Sequence, residues 1–200
     1  MYRATKRVMN FVCSFVGLIV LSPVFLIISL LIKASSKGPV FFLHERIGLN
    51  GKKFKLIKFR TMVDNAEELI NNFTPEQMKE WKENYKLKHD PRTTKIGEFL
   101  RRTSLDELPQ LINIIKGDMS IVGPRPIIED ELKWYGDNKD KLLSVKPGLT
   151  GWWAVNGRSN VSYPERCDLE LYYVDHISFC LDIKIIFRTL GAIIKKDGAR

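Results

Sequence analysis

The sequence predicts a helix-rich α+β protein, monotopic at a membrane surface. It divides into an N-terminal re-entrant helix hairpin over residues 1–36, broken at Ser22-Pro23, and a second unit over residues 37–200. Three observations carry this. A long apolar run near the N-terminus is interrupted by proline. Two extended stretches flank Asn50-Gly51, which predicts a small β-hairpin. The C-terminal segment repeats apolar residues at helical spacing with cations opposite, which predicts an interfacial amphipathic helix.

The apolar run is Phe11 to Ile32, 22 residues without a charge. As a straight helix it would be roughly 33 Å long, slightly more than a hydrocarbon core. A single span has that length; a signal peptide has a shorter apolar core and a small-residue cleavage site. Pro23 has no N–H, so the Ile19 carbonyl loses its helical partner, and the Ser22 hydroxyl can bond back one turn earlier and bend the helix. Each half would be roughly 16 Å, enough to reach mid-bilayer and return. Arg3, Lys6 and Arg7 precede the run, Lys33 and Lys37 follow it, and no acidic residue appears before Glu45. Positive charge tends to stay on the cytoplasmic side. With both flanks positive, a re-entrant hairpin is favoured over a span.

Val40 to Leu49 and Lys52 to Met62 are the extended stretches. The second reads Lys53-Phe54-Lys55-Leu56-Ile57-Lys58-Phe59-Arg60, and its alternation suggests a row of cations on one side of the ribbon. That row is either a charged edge that resists aggregation or an anion-facing wall. Asp64 and Glu67 mark one helix start. Thr74-Pro75-Glu76-Gln77 marks another, with Thr74 capping and Gln77 completing the box, and that helix is expected to reach about Lys88. In the C-terminal helix, Ile183, Ile186, Phe187, Leu190, Ile193 and Ile194 share one face, with Lys184, Arg188 and Lys195 opposite. Trp152 and Trp153 fit either interfacial anchors or core residues.

The formal net charge of +9 points to an anionic partner without choosing one. Cys13, Cys167 and Cys180 have neither disulfide nor zinc spacing. His44, His89 and His176 form no ligand pattern and read as structural or surface residues.

Chemistry concentrates in Arg101-Arg102-Thr103-Ser104-Leu105-Asp106-Glu107-Leu108-Pro109-Gln110. Ser104 and Glu107 have capping-box spacing, but a helix begun at Ser104 would put Pro109 where an N–H is needed. Pro109 fits the first turn of a helix running to Lys116 and stopping at Gly117. Asp106 and Glu107 then precede a helix N-terminus, in a positive local field. A carboxylate kept ionised there by cations can attack phosphorus, and its neighbour can help hold a divalent ion. Gly123-Pro124-Arg125-Pro126, Pro147 to Gly151, and Asn156-Gly157-Arg158 are turns that could present arginines to phosphate.

These strings resemble the bacterial sugar transferase family, and more narrowly its small monotopic phosphoglycosyl transferases. The resemblance is carried by Arg101 to Gln110, by Lys116 to Pro126 and by Lys146 to Trp152. It continues through Gly38-Pro39-Val40-Phe41-Phe42, Lys58-Phe59-Arg60-Thr61-Met62, Ser22-Pro23 and Asp182-Ile183-Lys184, and so spans nearly the whole chain. It implies an enzyme at the cytoplasmic face of the bacterial inner membrane, amid membrane lipids, that moves a phosphosugar from a UDP-sugar to undecaprenyl phosphate and releases UMP. Asp106 matches the family nucleophile, which forms an aspartyl-phosphosugar. Glu107 matches its dyad partner, acting through Mg²⁺ or in proton handling, with Asp106 and Glu107 as the metal-side carboxylates. Arg101, Arg125 and Arg158 match positions that contact the nucleotide-sugar or phosphate.

Two other classes compete. A non-catalytic membrane-surface scaffold explains anchor and charge but leaves Asp106-Glu107 without a purpose. A nucleic-acid binder explains the charge but not the uncharged run, and no nucleic-acid motif is present.

Overall fold

The structure, a computed structural model, describes residues 2–84, 87, 90–157 and 161–195. The first helix, α1, spans Tyr2–Ser35 and is long and apolar enough to cross a membrane by length and composition. It runs through Pro23 as one helix, where the sequence led us to expect a break into two halves. The proline's local effect is as expected: the Ser22 hydroxyl donates to the Ile19 carbonyl at 2.8 Å, taking the acceptor that Pro23 leaves without a donor.

One stripe of α1 is bound along its length. Arg7 donates to the carbonyls of Ile114 and Ile115 at 2.6 and 2.7 Å, and Asn10 donates to the Ser120 hydroxyl at 2.8 Å. Farther on, Val24, Phe25, Ile28 and Ile32 pack with Phe59, Leu100, Leu105 and Leu108. Both halves therefore rest on the same body. The opposite side exposes Phe11, Phe15, Ile19, Val20, Leu26, Ile27 and Leu30.

Strands β1 (Phe41–Ile47) and β2 (Lys53–Phe59) form the expected antiparallel hairpin, with Phe41 opposite Phe59 and Ile47 opposite Lys53. The turn works because Asn50 and Gly51 both take positive φ, 55° and 77°. The expected row of cations does not form. Lys53 and Lys55 fall on one face of β2 and Lys58 on the other, because side chains alternate and these residues differ in parity. Lys53 pairs with Glu45 and Glu129 instead.

The segment after Asp64 forms only a 3-10 turn, Glu68–Asn72. The next start holds: α2 spans Pro75–Asn84, and Thr74 and Gln77 make the reciprocal capping bonds at 3.0 and 3.2 Å. Its expected end at Lys88 lies outside the described residues. Helix α3 (Lys95–Thr103) is capped by Thr94, whose hydroxyl accepts from Gly97 at 2.9 Å. Helix α4 spans Gln110–Lys116, entered from Pro109 and ended at Gly117, as expected.

Beyond α4, β3 (Ser120–Val122) and β4 (Gly148–Thr150) pair in parallel, which brings two turns together: Gly148 N–H donates to the Pro124 carbonyl at 2.7 Å. Helices α5 (Lys139–Leu143), α6 (Trp152–Val155) and α7 (Glu165–Asp175) complete this half, with Tyr135, Leu142 and Cys167 in its core.

The last helix, α8 (Phe179–Lys195), buries Ile185 and exposes Ile183, Phe187 and Leu190. Ile186, placed with that apolar face by its spacing, packs partly inward beside Val122 and Tyr173, so the outward stripe is narrower than the sequence suggests. The side chains of Ile193, Ile194 and Lys195 lie outside the described residues. Trp152 is partly buried against Tyr172, with Arg188 over its ring.

Candidate functional site

Asp106 and Glu107 sit in a single 3-10 turn, Leu105–Glu107, between α3 and α4. Ser104 precedes it in the left-handed region, φ 57°, and ends α3 rather than capping a helix with its side chain. This reversal aims the two carboxylates at β2. Lys58 Nζ lies 2.7 Å from Glu107 Oε1 and 3.9 Å from Asp106 Oδ2.

Asn113 sets that distance. Fully buried on α4, its amide accepts from the Ile57 N–H at 2.9 Å and donates to the Lys55 carbonyl at 2.8 Å. The side chain thus imitates a third strand along the free edge of β2. It locks the helix that follows the dyad onto the strand that carries Lys58.

Asp106 is 8% exposed. Burial pushes its carboxyl up to about 6; Lys58 and Arg101 oppose the shift, and Glu107 adds to it. The sequence argument expected cations to keep this group firmly ionised. They are present, but desolvation outweighs them. A carboxylate poised near neutrality and largely desolvated is a stronger nucleophile than a solvated one, and it remains mostly ionised at pH 7.

The motif Lys58-Phe59-Arg60-Thr61-Met62 holds three partners at once. Lys58 meets the dyad. Arg60, buried, donates to the Ser36 carbonyl at 2.9 Å and to that of Lys37, so it binds the end of α1. Thr61 accepts from Arg101 Nε at 2.9 Å. Arg101 also reaches the Thr93 hydroxyl, and its charge acts on Asp106 without direct contact. Helix α3 can lie this close only because residue 97 is glycine: a Cβ there would stand 1.9 Å from the Thr61 carbonyl oxygen.

Arg125 is placed by the turn after β3, with its guanidinium 2.7 Å from Glu131. Arg158 lies outside the described residues. Three side chains near these were not singled out from the sequence. Arg46 on β1 shares Glu131 with Arg125, at 3.5 Å. His44, read as structural or surface, contacts Arg46 through Nδ1 at 3.2 Å. Burial, then the charges of Arg46, Lys58 and Arg125, push His44 down to about 4. Lys58 had a signal in its motif, whereas Arg46, His44 and Glu131 had none beyond their types.

For a divalent ion, no cluster of three or more His, Cys, Asp or Glu exists among the described residues. Mg²⁺ does not need one: it is commonly held by one or two carboxylates together with substrate phosphates. Glu107, 37% exposed beside the buried Asp106, can offer such a carboxylate.

Residues 1–196 match the bacterial sugar transferase family. The chain is 46% identical to an undecaprenyl-phosphate galactose phosphotransferase of Salmonella typhimurium, over 98% of the chain and 42% of that protein. It is 40% identical to a UDP-glucose:undecaprenyl-phosphate glucose-1-phosphate transferase of Escherichia coli, over 94% of the chain and 40% of that protein. It is 45% identical to the exopolysaccharide production protein ExoY of Rhizobium meliloti, over 97% of the chain and 87% of that protein. The chain therefore spans less than half the length of some curated relatives and most of the length of others.

Proposed function

The chain belongs to the bacterial sugar transferase family, and on that premise we propose that it transfers a phosphosugar from a UDP-sugar to undecaprenyl phosphate. The observation that carries the mechanism is the buried Asp106 beside Glu107 and Lys58. An Asp106 carboxylate oxygen attacks the sugar-linked phosphorus of the donor. The bond from that phosphorus to the oxygen of UMP breaks, and UMP leaves. An oxygen of undecaprenyl phosphate then attacks the same phosphorus, the aspartyl bond breaks, and Asp106 returns as carboxylate. The product is undecaprenyl-diphosphate-sugar.

Lys58 holds Glu107 in place and supplies positive charge at the developing phosphoryl oxygens. Arg101, Arg125 and Arg158 contact the nucleotide-sugar or phosphate. Asp106 and Glu107 would hold Mg²⁺ with substrate oxygens; bound there, the ion neutralises the diphosphate and eases the departure of UMP.

Residues 1–36 act as the membrane anchor and residues 37–200 as the catalytic part, at the cytoplasmic face of the inner membrane. In support, α1 exposes an apolar side while both of its halves stay on the catalytic body, and both of its flanks are basic. That arrangement suits a monotopic insertion, with α1 kept against the catalytic part on one side of the bilayer; re-entry would need a bend at Ser22-Pro23 within this continuous helix. The outward stripe Ile183, Phe187 and Leu190 of α8 would lie in the interface.

The test is UMP release by detergent-solubilised protein with Mg²⁺, undecaprenyl phosphate and a panel of UDP-sugars, run beside Asp106→Asn. Release with one or a few donors, lost in the variant, is expected. No release from folded wild-type protein would leave the scaffold reading in its place, and equal release by the variant would remove Asp106 as nucleophile.

A further inference from the structure

Arg46 and Arg125 converge on one carboxylate. Glu131 Oε1 takes Arg125 at 2.7 Å, while Oε2 takes Arg46 at 3.5 Å and the Ile128 N–H at 2.9 Å. Both guanidiniums contact this one carboxylate, and they do so in a poorly solvated place: Arg46 is 11% exposed and Arg125 27%. Proteins rarely gather like charges out of water without an anion to receive.

The satisfaction of the two forks is unequal. Arg125 has a short ion pair. Arg46 has a long one, a contact to His44 Nδ1 at 3.2 Å, and a buried Nε with no hydrogen-bond partner. A guanidinium offers five N–H groups in a fixed fork, so Arg46 is owed an acceptor. Its neighbour cannot serve as a further cation: His44, held neutral by burial and by the surrounding cations, spends Nδ1 on Arg46 and keeps its proton on Nε2 as a neutral donor. Arg46 and His44 lie on the same face of the hairpin as Lys58, whose cross-strand partner is Phe42, and Lys58 meets Asp106 and Glu107, so this cluster borders the dyad.

We infer that Arg46, carried by Glu131 and His44 and paired with Arg125, is a ligand for substrate phosphoryl oxygens, so that the phosphate site extends from the dyad onto β1. The inference rests on the transferase reading for the identity of the anion. The chemistry fits a planar fork reading a phosphate in a poorly solvated site, where a lysine would supply charge but not paired donors. Two phosphates could be the ligand: the diphosphate of the donor or the monophosphate of the lipid acceptor.

The experiment measures equilibrium binding to the full chain in detergent, without turnover, so that it stands whether or not transfer is observed. Inorganic pyrophosphate probes the donor arm and a short-chain prenyl monophosphate the acceptor arm. The variants are Arg46→Gln and Arg46→Lys, each checked for an unchanged melting profile; should the first fail to fold, the second still decides. Loss of a charge-assisted bond is expected to weaken one probe by about tenfold or more in Arg46→Gln, with partial recovery in Arg46→Lys. Weakening of pyrophosphate assigns Arg46 to the donor, and weakening of the monophosphate assigns it to the acceptor. Both affinities within about twofold of wild type in a folded variant would overturn the inference.

Discussion

The Tyr2 hydroxyl donates to Asp182 at 2.7 Å, joining the first turn of α1 to α8 across nearly the whole length of the chain. Lys6 reaches the same carboxylate at 2.8 Å and Tyr173 takes its other oxygen at 2.7 Å. Replacing the buried Asp182 with leucine would leave an ammonium and two hydroxyls without their acceptor. Breaking a buried pair in this way costs about 3–5 kcal/mol. A large fall in melting temperature is expected in detergent, and an unchanged one would show that the clasp is not used in solution.

Asp106→Asn is expected to separate activity from stability. A buried carboxylate whose pKa rises from its ordinary value to about 6 is costly to keep charged at neutral pH. The folded protein binds the proton more tightly than the unfolded chain, so this group's contribution to stability improves as pH falls through 6 toward 4. An amide removes the charge, and stability at pH 7 should hold or rise by about 1–3 kcal/mol. Transfer should fall by about a thousandfold or more, as loss of a nucleophile requires. A melting curve beside a UMP assay checks both parts.

As the proposed nucleophile, Asp106 must be ionised to attack, so the rate should drop on the acid side with a midpoint near 6. Lys58 holds that value down, though less strongly than burial raises it. In Lys58→Met the midpoint should move toward higher pH and the plateau rate should fall. A pH–rate profile with the midpoint unmoved would mean that Lys58 does not act on Asp106.

Gly97→Ala adds one methyl group where the Thr61 carbonyl already stands. Helix α3 would have to move off the strand end, carrying Arg101 away from Thr61. Overpacking of this kind typically costs about 1–3 kcal/mol, and activity should fall further than stability because Arg101 is displaced. The paired readings are thermal melting and the KM for the donor.

What was legible in the sequence was local. Asn50-Gly51, Thr74 with Gln77, Pro109 and Gly117 act through their own backbone, and each turn, cap or stop appeared where its chemistry required. The reach of Ser22 to Ile19 was legible for the same reason. What was not legible depends on partners far apart in the chain. Lys58 meets Glu107 49 positions away, and Arg46 meets Glu131 85 positions away. Asn113 looked like any polar helix residue until β2 lay beside it. Strands β3 and β4 are three residues each, too short to show a period. Tertiary desolvation likewise set the direction of the Asp106 shift against the cations visible in its neighbourhood.

Helix α1 is held at both ends, by Arg7 on α4 and by Arg60 on Ser36 and Lys37, and this bears on the anchor proposed for residues 1–36. A helix on a hinge could follow a bilayer that thickens or thins. An anchor riveted to its cargo would instead carry the catalytic part up or down with it, like a hull. On the proposed reading, the height of Asp106 above the hydrocarbon would be set by the draught of that hull, and the flexible chain of the lipid acceptor would make up the remaining distance.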